Sequence, residues 1–254
     1  MNLRFFKYQG AGNDFILLDC RESRANLTKE QIAHMCHRNF GIGADGLMYL
    51  EPPRKEGDHF YMVYFNADGS ESTMCGNGGR CISKFATDLG IVADRLQFHA
   101  IDGPHWAEVR GNQVALGMID APAVVERHGA HFVDTGSPHH VDVRTEHPDA
   151  FVEYARPVRI AYGVEGCNIN TLVAIDEGFS IRTYERGVEN ETLACGTGAV
   201  AAAMVAVHNG LATSPVAIKA LGGDLKISFS GTGPFTDVVL EGPAVYSFEG
   251  TWKG

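Results

Sequence analysis

Six cysteines occur in the 254 residues, at positions 20, 36, 75, 81, 167 and 195. Singly, each reads first as a small buried hydrophobe, and Cys20, Cys36, Cys81 and Cys167 keep that reading. Cys75 and Cys195 differ because they open the strings CGNGG (75–79) and CGTGA (195–199), 120 positions apart. Such a string suits the start of a helix. The first helical turn leaves backbone N–H groups without partners and carries partial positive charge. A thiol placed there ionises more readily than a free cysteine, whose pKa is about 8.5. The glycines admit a ligand close to the backbone, and the open N–H groups can hold a carboxylate. Each string therefore offers a reactive sulfur beside an anion cradle.

Two such units suggest one reaction above others. If two similar halves face each other about a pseudo-two-fold axis, an amino-acid Cα between the sulfurs has a base on one face and an acid on the other. One thiolate removes the α-proton, and the opposite thiol returns a proton to the other face. The configuration at that carbon inverts. The recognisable lysine context of pyridoxal phosphate is missing, so no cofactor is expected. The carbanion then needs oriented donors in a dry cleft, each contributing on the order of 2.7–4 kcal/mol.

The elements that must position these thiols repeat as well. At the same 120-residue offset Gly90 maps onto Gly210, Ala100 onto Ala220, Gly103 onto Gly223 and Gly111 onto Gly231. Upstream, Gly12-Asn13 maps onto Gly136-Ser137 at an offset of 124, each ahead of a strand-like run. Repetition of this kind signals duplicated structural units. After Cys75, the residues Ile82, Phe85, Ala86 and Leu89 share one helical face, and Gly90 stands where a left-handed C-cap is wanted. After Cys195, AVAAAMVAV (199–207) is apolar all round and reads as a helix buried on every side. FILLD, LMYL, FYMVYF, LQFHA, QVALGMI, HVDV, INTLVAI, FSIRTYE and TDVVL read as strands joined by short turns, which favours antiparallel or mixed sheet. The expected fold class is α+β, in two pseudo-symmetric halves, each a curved mixed or antiparallel sheet wrapped around a central helix. The expected halves are 1–118 with Cys75, completed by the tail 246–254, and 119–245 with Cys195. KEQIAHMCHRNF (29–40) reads as helical, and MIDAPAVVERHG (118–129) as the crossover.

Composition removes other classes. Lys and Arg number 21 against 31 Asp and Glu, a net charge of −10, which argues against nucleic-acid or anionic-membrane partners. No apolar run approaches the ~18–20 residues of a membrane helix. The opening MNLRFFKYQGAGNDF lacks a signal-peptide pattern, so a cytoplasmic location is expected. GIGADG (41–46) matches a dinucleotide fingerprint in letters alone, since that motif requires a strand before it and a helix after it. His34, Cys36 and His37 lack the second ligand pair of a metal site, and no metal is expected.

The strings GAGNDFILLD (10–19), NFGIGADG (39–46), FNADGSESTMCGNGGRC (65–81), DTGSPHHV (134–141), EGCNIN (165–170) and YERGVENETLACGTGA (184–199) resemble those of the diaminopimelate epimerase family across essentially the whole chain. The resemblance implies cofactor-free interconversion of LL- and meso-diaminopimelate, for lysine and peptidoglycan synthesis, by an enzyme that is usually a homodimer. It implies that Cys75 and Cys195 are the acid/base pair, with Cys195 accepting and Cys75 donating in the LL-to-meso direction. It implies substrate contacts from Asn13, Asn66 and Asn168, and carboxylate binding by Gly76-Asn77 and Gly196-Thr197. Arg186 of the Glu185-Arg186 pair would clamp the distal carboxylate, while His139 and Glu185 would tune the thiols. Local chemistry alone leaves other roles open. The asparagines fit turns, Arg186 fits a surface charge, His139 a loop histidine, Glu185 an ordinary ion pair, and Thr197 a helix start. Two positions depart from the family pattern: Ser137, where many relatives carry Asn, and Gly46, where some carry Gln. The rival readings are a proline or hydroxyproline racemase, a phenazine-pathway isomerase on the same fold, and a thiol redox protein. The last lacks the usual C-x-x-C dithiol.

Overall fold

The computed structural model describes residues 2–253. It divides into two compact units, residues 1–116 with 243–254 and residues 117–242. In unit 1, β1 (Asn2–Gly10) turns back into β2 (Asn13–Asp19), and α1 (Lys29–Cys36) leads to β3 (Gly46–Glu51) and β4 (Phe60–Asn66). Then follow β5 (Glu71–Ser72), α2 (Gly76–Asp88), β6 (Arg95–Ala100), β7 (Gly103–Arg110) and β8 (Gln113–Gly117). The β2–β3 and β4–β6 pairs are parallel, and β1–β2, β3–β4, β4–β5, β6–β7 and β7–β8 are antiparallel. Helix α2 touches β1, β2, β3 and β7, strands from widely separated places in the sheet, so the sheet curls around it. Both faces of its middle are covered. Ile16 and Leu18 pack with Ile32, Met35 and Cys36 of α1, while Phe15 and Leu17, fully buried too, alternate to the face toward α2.

Unit 2 repeats the plan. It comprises β9 (Val125–Arg127), β10 (Ala130–Asp134), β11 (Pro138–Arg144), α3 (Phe151–Ala161), β12 (Asn168–Ile175) and β13 (Gly178–Glu185). These are followed by β14 (Asn190–Thr192), α4 (Gly196–His208), β15 (Val216–Ala220), β16 (Gly223–Ser230) and β17 (Thr236–Pro243). The β11–β12 and β13–β15 pairs are parallel and the other sequential pairs antiparallel, matching unit 1 strand for strand from β10 onward. Helix α4 touches strands β10 through β13, β15 and β16 and is buried from Gly198 to Ala206. The repeated glycines share conformations: φ is +71° at Gly90 and +68° at Gly210, just past the ends of α2 and α4, where left-handed backbone favours glycine. The last strand, β18 (Val245–Lys253), pairs antiparallel with β1 in unit 1, just as β9 pairs with β10 in unit 2.

The expected α+β class and its duplicated, helix-centred plan hold. Two local expectations change, and one helix was not expected. The helix expected to run over 29–40 ends at Cys36, because the N–H groups of Gly41, Ile42, Gly43 and Ala44 fold back onto the carbonyls of His37, Met35 and Cys36. The crossover 118–129 contains β9, hairpinned to β10. Helix α3 carries no start signal in the sequence: its N-cap is Ala150, without a side-chain bond, and Pro157 lies inside it.

Candidate active site

Cys75 is the N-cap of α2, in extended backbone, and its Sγ accepts the Gly78 N–H at 3.2 Å. A Cβ on Gly78 would lie 3.1 Å from that sulfur, so the glycine makes the close approach possible. Gly76 and Asn77 form the buried first turn. The Asn77 amide donates to Asn13 Oδ1 at 3.3 Å and accepts from Arg80 Nη2 at 2.8 Å. Asn13 opens β2 and donates to Asp45 Oδ2. Asp45 pairs with Arg38 at 2.6 Å, and Arg38 also reaches Asp14 at 2.8 Å. Burial raises the pKa of Asp14, but bonds from Arg38 and Lys7 outweigh that and hold its carboxyl below the ordinary range. Asn66 ends β4 at an exposed turn, its N–H donating to Ser70 O and its carbonyl accepting from Gly69. Asn13, Asn66, Cys75, Gly76 and Asn77 thus converge at one end of β2 and β4 and the start of α2.

Cys195 is likewise the N-cap of α4, in extended backbone but without a side-chain cap bond, and Gly196 and Thr197 form the first turn. Its Sγ lies 3.4 Å from Thr197 Oγ1, which is 2.9 Å from His139 Nε2. His139 is fully buried, and its ring orientation follows from its neighbours. Asn170 Nδ2 donates to His140 O at 2.8 Å and Asn170 Oδ1 accepts from Thr183 at 2.9 Å. The amide nitrogen therefore faces His139 Nδ1, at 3.1 Å. Nδ1 must accept, so Nε2 carries the hydrogen and donates to Thr197, an assignment made from the bonding network. Burial first, and the charge of Arg186 second, push His139 down to about 3, so the ring is neutral at neutral pH. Asn168, opening β12, accepts the Arg186 N–H at 2.8 Å and donates to Ser137 Oγ at 2.9 Å. Glu185, ending β13, accepts from Thr192 Oγ1 at 2.5 Å. Arg186 is exposed, with Nη1 on Glu165 O at 2.8 Å. A cleft of about 640 Å³ opens beside Arg186, lined also by Asp134, Pro138, Tyr162 and Glu165.

Sheet register makes the surroundings of the two cysteines position-for-position equivalents. Phe15 pairs with Gly46 across β2–β3 as His139 pairs with Asn168 across β11–β12. Gly46 faces Asn66 across β3–β4, and one step beyond the Ile169–Tyr184 pair lie Asn168 and Glu185. The equivalences are Asn13 with Ser137, Phe15 with His139, Gly46 with Asn168, Asn66 with Glu185, and Cys75 with Cys195. At Gly46 a side chain would run into the Tyr64 ring and the Phe65 carbonyl, so the space that a glutamine would need holds Tyr64. Sequence reasoning did not single out Asp45, Arg80, Asn170 or Thr183. Asp45 and Arg80 lie inside the quoted strings, but nothing in their spacing told them from surface charges. Asn170 and Thr183 carry the period-2 pattern of strand residues and nothing more. Among the described residues, no group of three or more His, Cys, Asp or Glu could hold a metal ion, and no helix is long and apolar enough to cross a membrane.

Residues 5–124 and 131–247 match the family model described as diaminopimelate epimerase. The chain is 43% identical to diaminopimelate epimerase of Flavobacterium psychrophilum, over 98% of this chain and all of the relative. It resembles the solved PhzF-family phenazine biosynthesis protein of Bacillus anthracis (TM-score 0.74, 12% identity, 100% of this chain and 99% of that one). It also resembles a probable proline racemase of Agrobacterium radiobacter (TM-score 0.72, 12% identity, 99% and 93%). At such identities, these two structures speak for the fold alone.

Proposed function

Because the chain belongs to the diaminopimelate epimerase family, we propose that it interconverts LL- and meso-diaminopimelate without a cofactor, in lysine and peptidoglycan precursor synthesis. The observation that carries the mechanism is the pair of thiols at equivalent helix starts, Cys75 on α2 and Cys195 on α4. One sulfur, as thiolate, takes the α-proton; the C–H electron pair stays on the substrate, and the other thiol gives its proton to the opposite face. Backbone donors at Gly76-Asn77 and Gly196-Thr197 hold the reacting carboxylate, where helix-end charge favours an anion and stabilises the carbanion in its enediolate form. Asn13, Asn66 and Asn168 fix the amino and carboxylate groups. Arg186, exposed beside the cleft and next to Glu185, takes the distal carboxylate through its planar fork of donors.

His139 and Glu185 tune the thiols. His139 does so as a neutral donor through Thr197, an orientation supported by Asn170, and Glu185 through its charge. The enzyme acts as a homodimer in the cytoplasm. Exposed Tyr246 and Phe248 on β18 support the first point, since exposed aromatic groups along a strand favour association.

The test is incubation of the protein with LL-diaminopimelate in deuterated water, with no pyridoxal phosphate added. Deuterium should enter Cα of substrate and product together with the meso isomer, and Cys75→Ala or Cys195→Ala should nearly abolish both. Absence of solvent hydrogen from Cα would sink the proton-transfer mechanism. Turnover of proline or hydroxyproline in place of diaminopimelate would move the chain to the rival substrate class.

A further inference from the structure

Arg80 is the largest fully buried side chain among the described residues. Its guanidinium folds back along α2, as helical side chains do, onto the first turn that Cys75 caps. Nη1 donates to Gly76 O at 3.1 Å, Nη2 to Asn77 Oδ1 at 2.8 Å and Nε to Pro243 O at 3.3 Å. All three acceptors are neutral, and among the described residues no carboxylate pairs with it. An arginine stays protonated in proteins. A buried cation without an anion is costly, and this one sits at the helix end that already carries positive charge. Burial pulls its pKa below the ordinary value; the groups that oppose this are the thiols of Cys81 and Cys75. Cys81 is wholly buried, and burial pushes its thiol far up, so it stays protonated. Cys75 is only half-buried and its sulfur already accepts a helix N–H.

The other half lacks a buried cation of this kind; the cation whose charge reaches His139 there is Arg186, which is exposed. The position equivalent to Arg80 at the 120-residue offset is Val200, fully buried and apolar. Cys195 makes no side-chain cap bond to its helix, and the histidine that reaches its neighbour Thr197 is neutral.

We propose that Arg80 is a positioning residue acting through Cys75: its buried charge keeps Cys75 as the thiolate in the resting protein, the form that begins the meso-to-LL direction, leaving Cys195 as the protonated partner that must lose its proton before LL-to-meso turnover. The inference rests on the reading of these two cysteines as the acid/base pair. Asp14 on β2 is neutralised by Lys7 on β1 and by Arg38. Asp88, at the far end of α2, is engaged by Lys84 and by Tyr8 of β1. On β18, Glu249 pairs with Arg4. Asp102 accepts the Met74 N–H at 3.3 Å and is 3.4 Å from His105 of β7. Held on the backbone of the residue before Cys75, this carboxylate works against a Cys75 thiolate, and the guanidinium must outweigh it.

The experiment is alkylation of the full chain by iodoacetamide across pH, each cysteine followed by peptide mass spectrometry. In the unaltered protein Cys75 should ionise at least about one pH unit below Cys195, the lower end of what a neighbouring opposite charge produces. Arg80→Met should raise the Cys75 midpoint by about a unit or more, a roughly tenfold loss of its alkylation rate near pH 6, and leave the Cys195 midpoint in place. Arg80→Lys should recover part of the shift. An unmoved Cys75 midpoint in folded Arg80→Met, or ionisation of Cys195 at or below the pH of Cys75 in the unaltered protein, would overturn the proposal. Should Arg80→Met not fold, the order of the two midpoints in the unaltered protein decides. Alkylation needs no substrate, so its result stands apart from the epimerase assay. Full turnover by Cys75→Ala would overturn the two-thiol reading instead.

Discussion

His139 shows how one residue is made to serve a polar site from inside a core. It is fully buried, hydrogen-bonded on both nitrogens and held neutral. Its pKa is pushed from an ordinary 6.5 down to about 3, by burial first. The unfolded chain therefore binds a proton near pH 6.5 that the folded chain refuses until near pH 3. Stability supplied by the neutral ring is fully present above pH 6.5 and is lost progressively as the pH falls toward 3. Two pH units of that window cost about 2–3 kcal/mol for one such group. Urea unfolding at pH 6.5 and 4.5 should show His139→Gln losing less stability over this interval than the unaltered protein, by about that amount. Equal losses in the two proteins would contradict the buried neutral state. His140, pushed down to about 4 by burial, remains in both proteins and cancels in the comparison.

At the scale of the element, the glycine-rich loop after α1 is a helix terminator that also positions the site. Its N–H groups satisfy the carbonyls that α1 leaves open, and its far end presents Asp45 to Asn13. Gly41 lies so close to the helix that a Cβ there would collide with the His34 and Met35 carbonyl oxygens. Backbone of this kind cannot yield as a flexible side chain would. Gly41→Ala should destabilise the protein by about 1–3 kcal/mol or more, measured as a lowered urea midpoint, and should reduce turnover by displacing Asp45. An unchanged midpoint would show that the loop can move off the helix. The literal fingerprint GIGADG thus has a structural cause: one glycine for close approach, and another, Gly43, for a φ of +81°.

At the scale of the whole molecule, duplication explains both the likeness and the inequality of the surroundings of the two cysteines. Register preserved the positions while the residues diverged: Phe15 against His139, Asn66 against Glu185, Arg80 against Val200. A reaction that inverts one carbon requires two groups in opposite protonation states, and unequal surroundings supply that difference. The proposed association also belongs to the scale of the whole chain. Tyr246 and Phe248 are 44% and 47% exposed on β18. Sedimentation should give the mass of a dimer, and Tyr246→Glu with Phe248→Glu should shift it to the monomer. A monomer in the unaltered protein, or a dimer untouched by the double substitution, would remove β18 from the interface.

The linear order of residues by itself determined the duplication, the two helices that follow the cysteines, the strand-rich character of the rest and the family. Each of these is carried by local periodicity, by glycines at turns, or by motifs contiguous in the chain. Helix α3 was not legible, because it starts on Ala150 and contains Pro157, and packing of Phe151 and Ala155 against Ile169 and Tyr184 holds it in place of caps. The partners of the cysteines were not legible either. Asn170 reaches His139 across two strands 31 positions apart, and Arg80 looks in sequence like any solvated helix charge. Only the tertiary structure decided that this guanidinium is sealed beneath the first turn of α2. The physical reason is that burial and the sign of the nearest charge belong to the packed chain, and these two quantities set which form a thiol takes.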